Sequence, residues 1–162
     1  MLFRNWQNPL PSDGPVEVNG LNLPEPLLTL MRAGGWKRPR NTQPIADLTG
    51  IKDPARLEFL TLRRMIAETN SVMNLYSEGH AATYGLTYTG RENEQGRVLD
   101  VNRMVVLAVN DDEEGICLDY RTNPAEPSVI AGIWQGQGAN EHVEWKTAAA
   151  DFVTFAARIG LT

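Results

Sequence analysis

The sequence predicts an α+β fold, a mostly antiparallel β-sheet flanked by helices. From Met104 to Trp134, three short β-branched and apolar runs follow one another: Met104 to Val109, Ile116 to Arg121 and Val129 to Trp134. Asn, Asp, Gly and Pro separate them at turn spacing, the pattern of a three-strand meander. Before and after this meander, apolar residues recur at helical spacing in Asn22 to Gly35, about Thr61 to Tyr76, and Thr147 to Ile159. A chain of 162 residues fits one domain, in which folding buries roughly 70% of the unfolded surface. The expected organisation is an irregular N-terminal arm, residues 1–20, and a single domain, residues 21–162.

The arm is rich in Pro, Asn, Asp and Gly, with one short extended piece at Val16 to Val18. The first helix starts in Asn22, Leu23 and Pro24 and stops at Gly34 and Gly35. Leu23, Leu27 and Met31 lie four residues apart and form one apolar stripe. Trp36 to Gly50 reads as loop throughout, and Lys37, Arg38 and Arg40 there read as a solvated stretch in preference to a binding spot. Asp53 and Pro54 look like an N-cap and a first-turn proline. The helix either runs unbroken from Pro54 or breaks near Leu60 and Thr61, with Thr61 as a fresh cap. The break is favoured because Phe59 and Leu60 fit the later helical face poorly. Leu62, Met65, Ile66, Thr69, Met73 and Tyr76 continue a core-facing helix to Gly79. Thr83 to Thr89 alternates as a strand does, and Gly90 to Gly96 is a polar loop. Glu92 and Glu94 in that loop have nothing to bury them or raise a pKa, so they do not read as an acid–base pair. Gln135 to Asn140 forms a glycine-rich loop, Glu141 to Trp145 a further strand, and Thr147 caps the last helix, which ends at Gly160.

Composition places the chain among ordinary globular proteins, at 42% apolar and 22% charged residues. No run reaches the roughly 18 apolar residues of a membrane span. The N-terminal residues show no basic region followed by an apolar core, so cytoplasmic residence is expected. Residues 1–77 carry nine basic and seven acidic side chains, whereas residues 78–162 carry six and thirteen. The sheet-bearing half is therefore a poor direct partner for nucleic acid, which needs clustered Lys and Arg, and attracts a basic protein instead. The lone Cys117 sits between Ile116 and Leu118 and reads as a buried small hydrophobe.

The sharpest polar feature is Asn110-Asp-Asp-Glu-Glu-Gly115, with four consecutive carboxylates, Asp111, Asp112, Glu113 and Glu114, between two strands. They repel one another and serve no packing purpose. Two readings stand: a solvated turn that keeps the protein soluble, and an element that binds a partner. A calcium loop would alternate its oxygens along a longer stretch and close on a distant Glu, so no metal is expected here. His80 and His142 lack companion ligands at metal spacing. No nucleophile elbow, Cys–His pair, Walker lysine, dinucleotide fingerprint or metalloprotease helix is present, which leaves no catalytic residue and no cofactor to propose.

Several segments together resemble the SUKH superfamily, which contains many bacterial toxin-immunity proteins and a fungal regulator of cell-wall assembly. Leu23 to Trp36 looks like the family's opening helix, and Phe59 to Met65 like its phenylalanine followed by a helix-starting Ser or Thr. Ile116-Cys-Leu-Asp-Tyr120 matches the central strand, and Asp151-Phe-Val-Thr-Phe155 resembles the closing helix. The shared order of these pieces, over roughly residues 21–162, carries the resemblance. The long acidic turn, the loop around Gly136 to Asn140 and the helix from Thr61 depart from it.

The resemblance implies a non-catalytic protein-binding domain, foremost an immunity protein that binds and neutralises a cognate, basic toxin protein. Asp111, Asp112, Glu113 and Glu114 are then the partner-steering candidates, and Trp134 the aromatic anchor, with Tyr120 read as core. A regulator or scaffold of the cell-wall assembly kind is the alternative, and a small-ligand protein or enzyme the third.

Overall fold

The computed structural model describes residues 10–77 and 100–161. Its first element is a small hairpin, β1 (Glu17–Val18) and β2 (Leu21–Asn22). The extended piece expected at Val16 to Val18 lies here, and both valines are buried in the core. Asn19 and Gly20 form the connection with φ of 51° and 78°. An Asn-Gly pair is suited to this, because the two-residue turn that matches strand twist needs positive φ at both positions.

Helix α1 (Glu25–Ala33) follows and ends on Gly34 in the left-handed conformation. Leu27 and Leu28 are its buried residues. The stretch expected to be all loop contains a second helix, α2 (Gln43–Thr49). Proline in its first turn, left-handed Gly50 at its end and buried Ile45 and Thr49 account for it. Arg38 in the preceding loop is not merely solvated, since its guanidinium donates to the Leu57 carbonyl at 2.8 Å.

Asp53 and Pro54 begin only a 3₁₀ turn, Pro54–Arg56, which leads into the short strand β3 (Glu58–Phe59). The break before the long helix is present. Helix α3 (Leu62–Ser77) starts with the Thr61 hydroxyl accepting from the Arg64 amide at 3.3 Å. Met65 and Thr69 face the core as expected, but Ile66, at the margin of the stripe formed by Leu62, Met65 and Thr69, is 37% exposed. The strand expected at Thr83 to Thr89 and the loop Gly90 to Gly96 lie outside the described residues.

The meander is β4 (Met104–Val109), β5 (Gly115–Asp119) and β6 (Ser128–Gln135), and β7 (His142–Ala149) completes it. With β3 they form one antiparallel sheet in the order β3-β4-β5-β6-β7. The fold is therefore α+β, with a mostly antiparallel sheet flanked by helices. Strand β7 runs to Ala149, past the Thr147 expected to cap the last helix, because Thr147 and Ala149 pair with Ile130 and Val129 of β6. Helix α4 (Phe152–Ile159) instead starts at Asp151, whose carboxylate accepts from the Thr154 amide at 2.7 Å.

Strand register sorts the side chains onto two faces. Val105, Ile116, Leu118, Val129 and Ala131 share the face packed by α2 and α4, with α1 packed against α4, and there Gly50 approaches Ile133 and Lys146. Val106, Cys117 and Ile130 share the other, against which α3 lies. Layers on both sides explain why β4 and β5 are buried almost without interruption instead of alternating. Beyond the two residues of β3, α3 also covers the edge of β4. Thr69 Oγ1 accepts the Val106 amide at 3.0 Å, where a bulge interrupts the β4–β5 register. Among the described residues no helix is long and apolar enough to cross a membrane.

Candidate protein-binding cleft

The acidic turn between β4 and β5 is built around Asn110. Its Oδ1 accepts from the amides of Asp112 at 3.0 Å and Glu114 at 2.9 Å, and its own amide donates to the Glu114 carbonyl at 3.0 Å. Asn and Asp favour turns for this reason, since a short polar side chain can satisfy nearby backbone amides. Glu113 occupies the left-handed region with φ of 63°, and its amide donates to the Asn110 carbonyl at 3.2 Å.

The four carboxylates divide into two roles. Asp111, Asp112 and Glu113 are exposed, while Glu114 is buried. Glu114 Oε1 accepts from Asn110 Nδ2 at 3.1 Å, and Oε2 accepts the Trp134 amide at 3.1 Å. The β5–β6 pairing reaches Gly115 and Gly132, so this carboxylate takes the next rung of the ladder beyond the end of β5. Trp134 is half-buried and its indole Nε1 donates to the Asp112 carbonyl. It braces the turn from below. Tyr120, read as core, is buried, and its hydroxyl donates to the Asn22 carbonyl at 2.7 Å. Burial pushes that phenol well above the ordinary tyrosine range.

Beside the turn, on the α3 face of the sheet, lies a cleft of about 330 Å³. That is near the lower end of ligand-sized pockets, roughly 300–1,000 Å³. Val106, Val109, Gly115 and Cys117 contribute its floor, Ser71 and Val72 of α3 one wall, and Val143 and Trp145 of β7 another side. Cys117 is buried, and burial first, then the Asp119 charge, push its thiol far above the usual range, so it contributes volume and no nucleophile.

The described part of the rim is charged and net acidic. Among the described residues Glu58, Glu68, Asp111 and Glu113 border the cleft, against Arg56 and Arg64. Both arginines are already engaged. Arg64 reaches Glu58 at 3.2 Å and Glu68 at 3.0 Å, and Arg56 lies 3.8 Å from Asp53 and 4.0 Å from Asp111. The Glu113 carboxylate has no ion pair or hydrogen bond among the described residues. The acidic turn and the cleft therefore form one continuous surface.

Other polar clusters are structural. Asp119 and Arg121 form a buried bidentate pair with an Nη2 to Oδ2 distance of 2.7 Å. His142 contacts the Asn140 carbonyl and Glu144. Among the described residues, no group of three His, Cys, Asp or Glu side chains is placed to hold a metal ion.

The turn is legible in the sequence, whereas its partner elements are not. Glu68 and Arg64, four apart on α3, were open to detection as a helical ion pair. Arg56 and Glu58 carried no such signal, because β3 is two residues long and its place beside β4 is set only by the tertiary fold. Compared with protein-family models, curated proteins and solved structures, the chain matches none.

Proposed function

We propose that this chain is a cytoplasmic, non-catalytic protein-binding domain of the SUKH kind, an immunity protein that binds a basic toxin domain and neutralises it. The observation that carries the reading is the braced acidic turn at the lip of an apolar-floored cleft. Asp111, Asp112 and Glu113 are exposed on a backbone held by Asn110 and Glu114. Three adjacent negative charges on this held backbone, Asp111 with Arg56 4.0 Å away, steer a cationic partner. The half-buried ring of Trp134 and the cleft beside it provide apolar area for anchoring once contact is made. The same geometry supports substrate mimicry: a polyanionic knuckle seated in the active site of a toxin that acts on nucleic acid would block it.

The test is affinity capture from the native cells at low ionic strength, with wild-type protein and an Asp111→Asn, Asp112→Asn, Glu113→Gln variant as parallel baits. A stoichiometric basic toxin domain retained by the wild type, and associating roughly tenfold more slowly with the variant at low salt, is the expected result. Equal association rates for both baits would remove the steering role of the turn. Retention of cell-envelope or cytoskeletal proteins alone would replace the immunity role with a regulatory one.

A further inference from the structure

We infer that the cleft receives a lysine or arginine side chain of the bound partner, its aliphatic stem on the apolar floor and its charge at Glu113. This deepens the protein-binding reading above and rests on it.

The chemistry of the cleft changes along its depth. Its interior is apolar, from Val72, Val106, Val109 and Val143. Among the described residues its mouth carries four carboxylates and two arginines, and each arginine already lies between two carboxylates. An anionic occupant would therefore meet carboxylates with, among the described residues, no cation left to receive it. A neutral apolar occupant would fill the floor but cover Glu113 and take its carboxylate out of water without compensation, which is costly. A long-stemmed cation satisfies both zones. Lys and Arg side chains bury their methylenes against apolar surface and keep the charged head at its edge. Glu113 is the rim carboxylate with no cation beside it among the described residues, so it is the free counter-charge.

The chemistry is tested directly with hexylammonium as probe, followed by amide NMR shifts in the intact protein. Hexanoate and hexanol serve as the anionic and neutral counterparts of the same length. Hexylammonium is expected to shift the Gly115, Val143 and Trp145 signals and to bind at least tenfold more tightly than either counterpart. Glu113→Gln should weaken it at least fivefold. Ser71→Trp, a plug at an exposed position on the α3 wall, should abolish binding with the far-ultraviolet dichroism unchanged. Equal binding of hexanoate, or shifts confined to another part of the surface, would overturn the assignment. Spermidine binding tenfold more tightly than hexylammonium would reassign the cleft to a free polyamine. Concentration-dependent dimerisation abolished by Ser71→Trp would reassign it to a second copy of the chain. If hexylammonium fails to bind while the triple-variant bait still loses its partner, the cleft assignment falls and the protein-binding reading stands.

Discussion

Gly132 on β6 and Trp145 on β7 are cross-strand partners, and the indole occupies the space that a side chain at 132 would need. A Cβ there would sit 2.8 Å from two atoms of the Trp145 ring. The glycine thus lets the indole settle over the strand at one side of the cleft. Gly132→Ala is expected to displace Trp145 and to destabilise the protein by about 1–3 kcal/mol, the usual range for overpacking. Urea unfolding together with the tryptophan emission maximum checks this. An unchanged midpoint and spectrum would mean that the ring moves aside at no cost.

The acidic turn contains residues whose substitution has opposite consequences. Glu114→Ala removes the acceptor for both the Trp134 amide and Asn110 Nδ2, and should cost about 1–3 kcal/mol. Glu113→Gly relieves a left-handed backbone in a residue with a side chain, worth about 1–2 kcal/mol, against an entropy cost of about 0.5–1 kcal/mol for glycine. Its net effect should be a stabilisation of up to about 1.5 kcal/mol. Paired denaturation curves for the two variants are the measurement. A Glu113→Gly protein clearly weaker than wild type would show that the Glu113 side chain supports the turn.

The meander was legible because strands buried on both faces are written as uninterrupted apolar runs, and Met104 to Val109 is one. The acidic turn was legible as a feature, but the difference between Glu113 and Glu114 was not. It depends on the Trp134 amide arriving from β6, twenty residues away in sequence. Helix α2 was hidden by its seven-residue length and by a proline that reads equally well as loop. The start of α4 was misplaced for a related reason. Thr147 and Asp151 are both good caps, and the pairing of Thr147 with Ile130, a tertiary contact, decides between them.

The covered edge of β4 makes Thr69 a sensitive position. Its hydroxyl is the partner of the buried Val106 amide, in place of a neighbouring strand. Thr69→Val keeps the shape and removes the acceptor, so about 1–3 kcal/mol of stability should be lost. Thr69→Ser keeps the hydroxyl and should recover most of it. Hydrogen exchange at the Val106 amide gives an independent reading, with faster exchange expected in the valine variant and near-native exchange in the serine variant. Equal exchange in all three proteins would mean that water or another group serves the amide.

Asp151 should carry a pH dependence of known sign. The Thr154 amide donates to its carboxylate, first through the backbone and then with help from the Thr154 side chain, and holds its pKa below the ordinary aspartate value. A carboxyl depressed in the folded state binds its proton more readily in the unfolded chain. Its stabilisation is therefore complete above the unfolded value of about 3.9 and is lost as the pH falls through the lower folded value. Asp151→Ala should cost about 1 kcal/mol at neutral pH, the usual effect of losing an N-cap on a helix such as α4. That deficit should shrink as the pH is lowered below about 4. Asp151→Asn keeps a neutral cap, so it should match the wild type more closely at pH 7 and lose less stability on acidification. Urea midpoints from pH 7 to pH 3 separate the three proteins. Parallel acid limbs for wild type and Asp151→Asn would assign the acid sensitivity of the fold to other carboxylates.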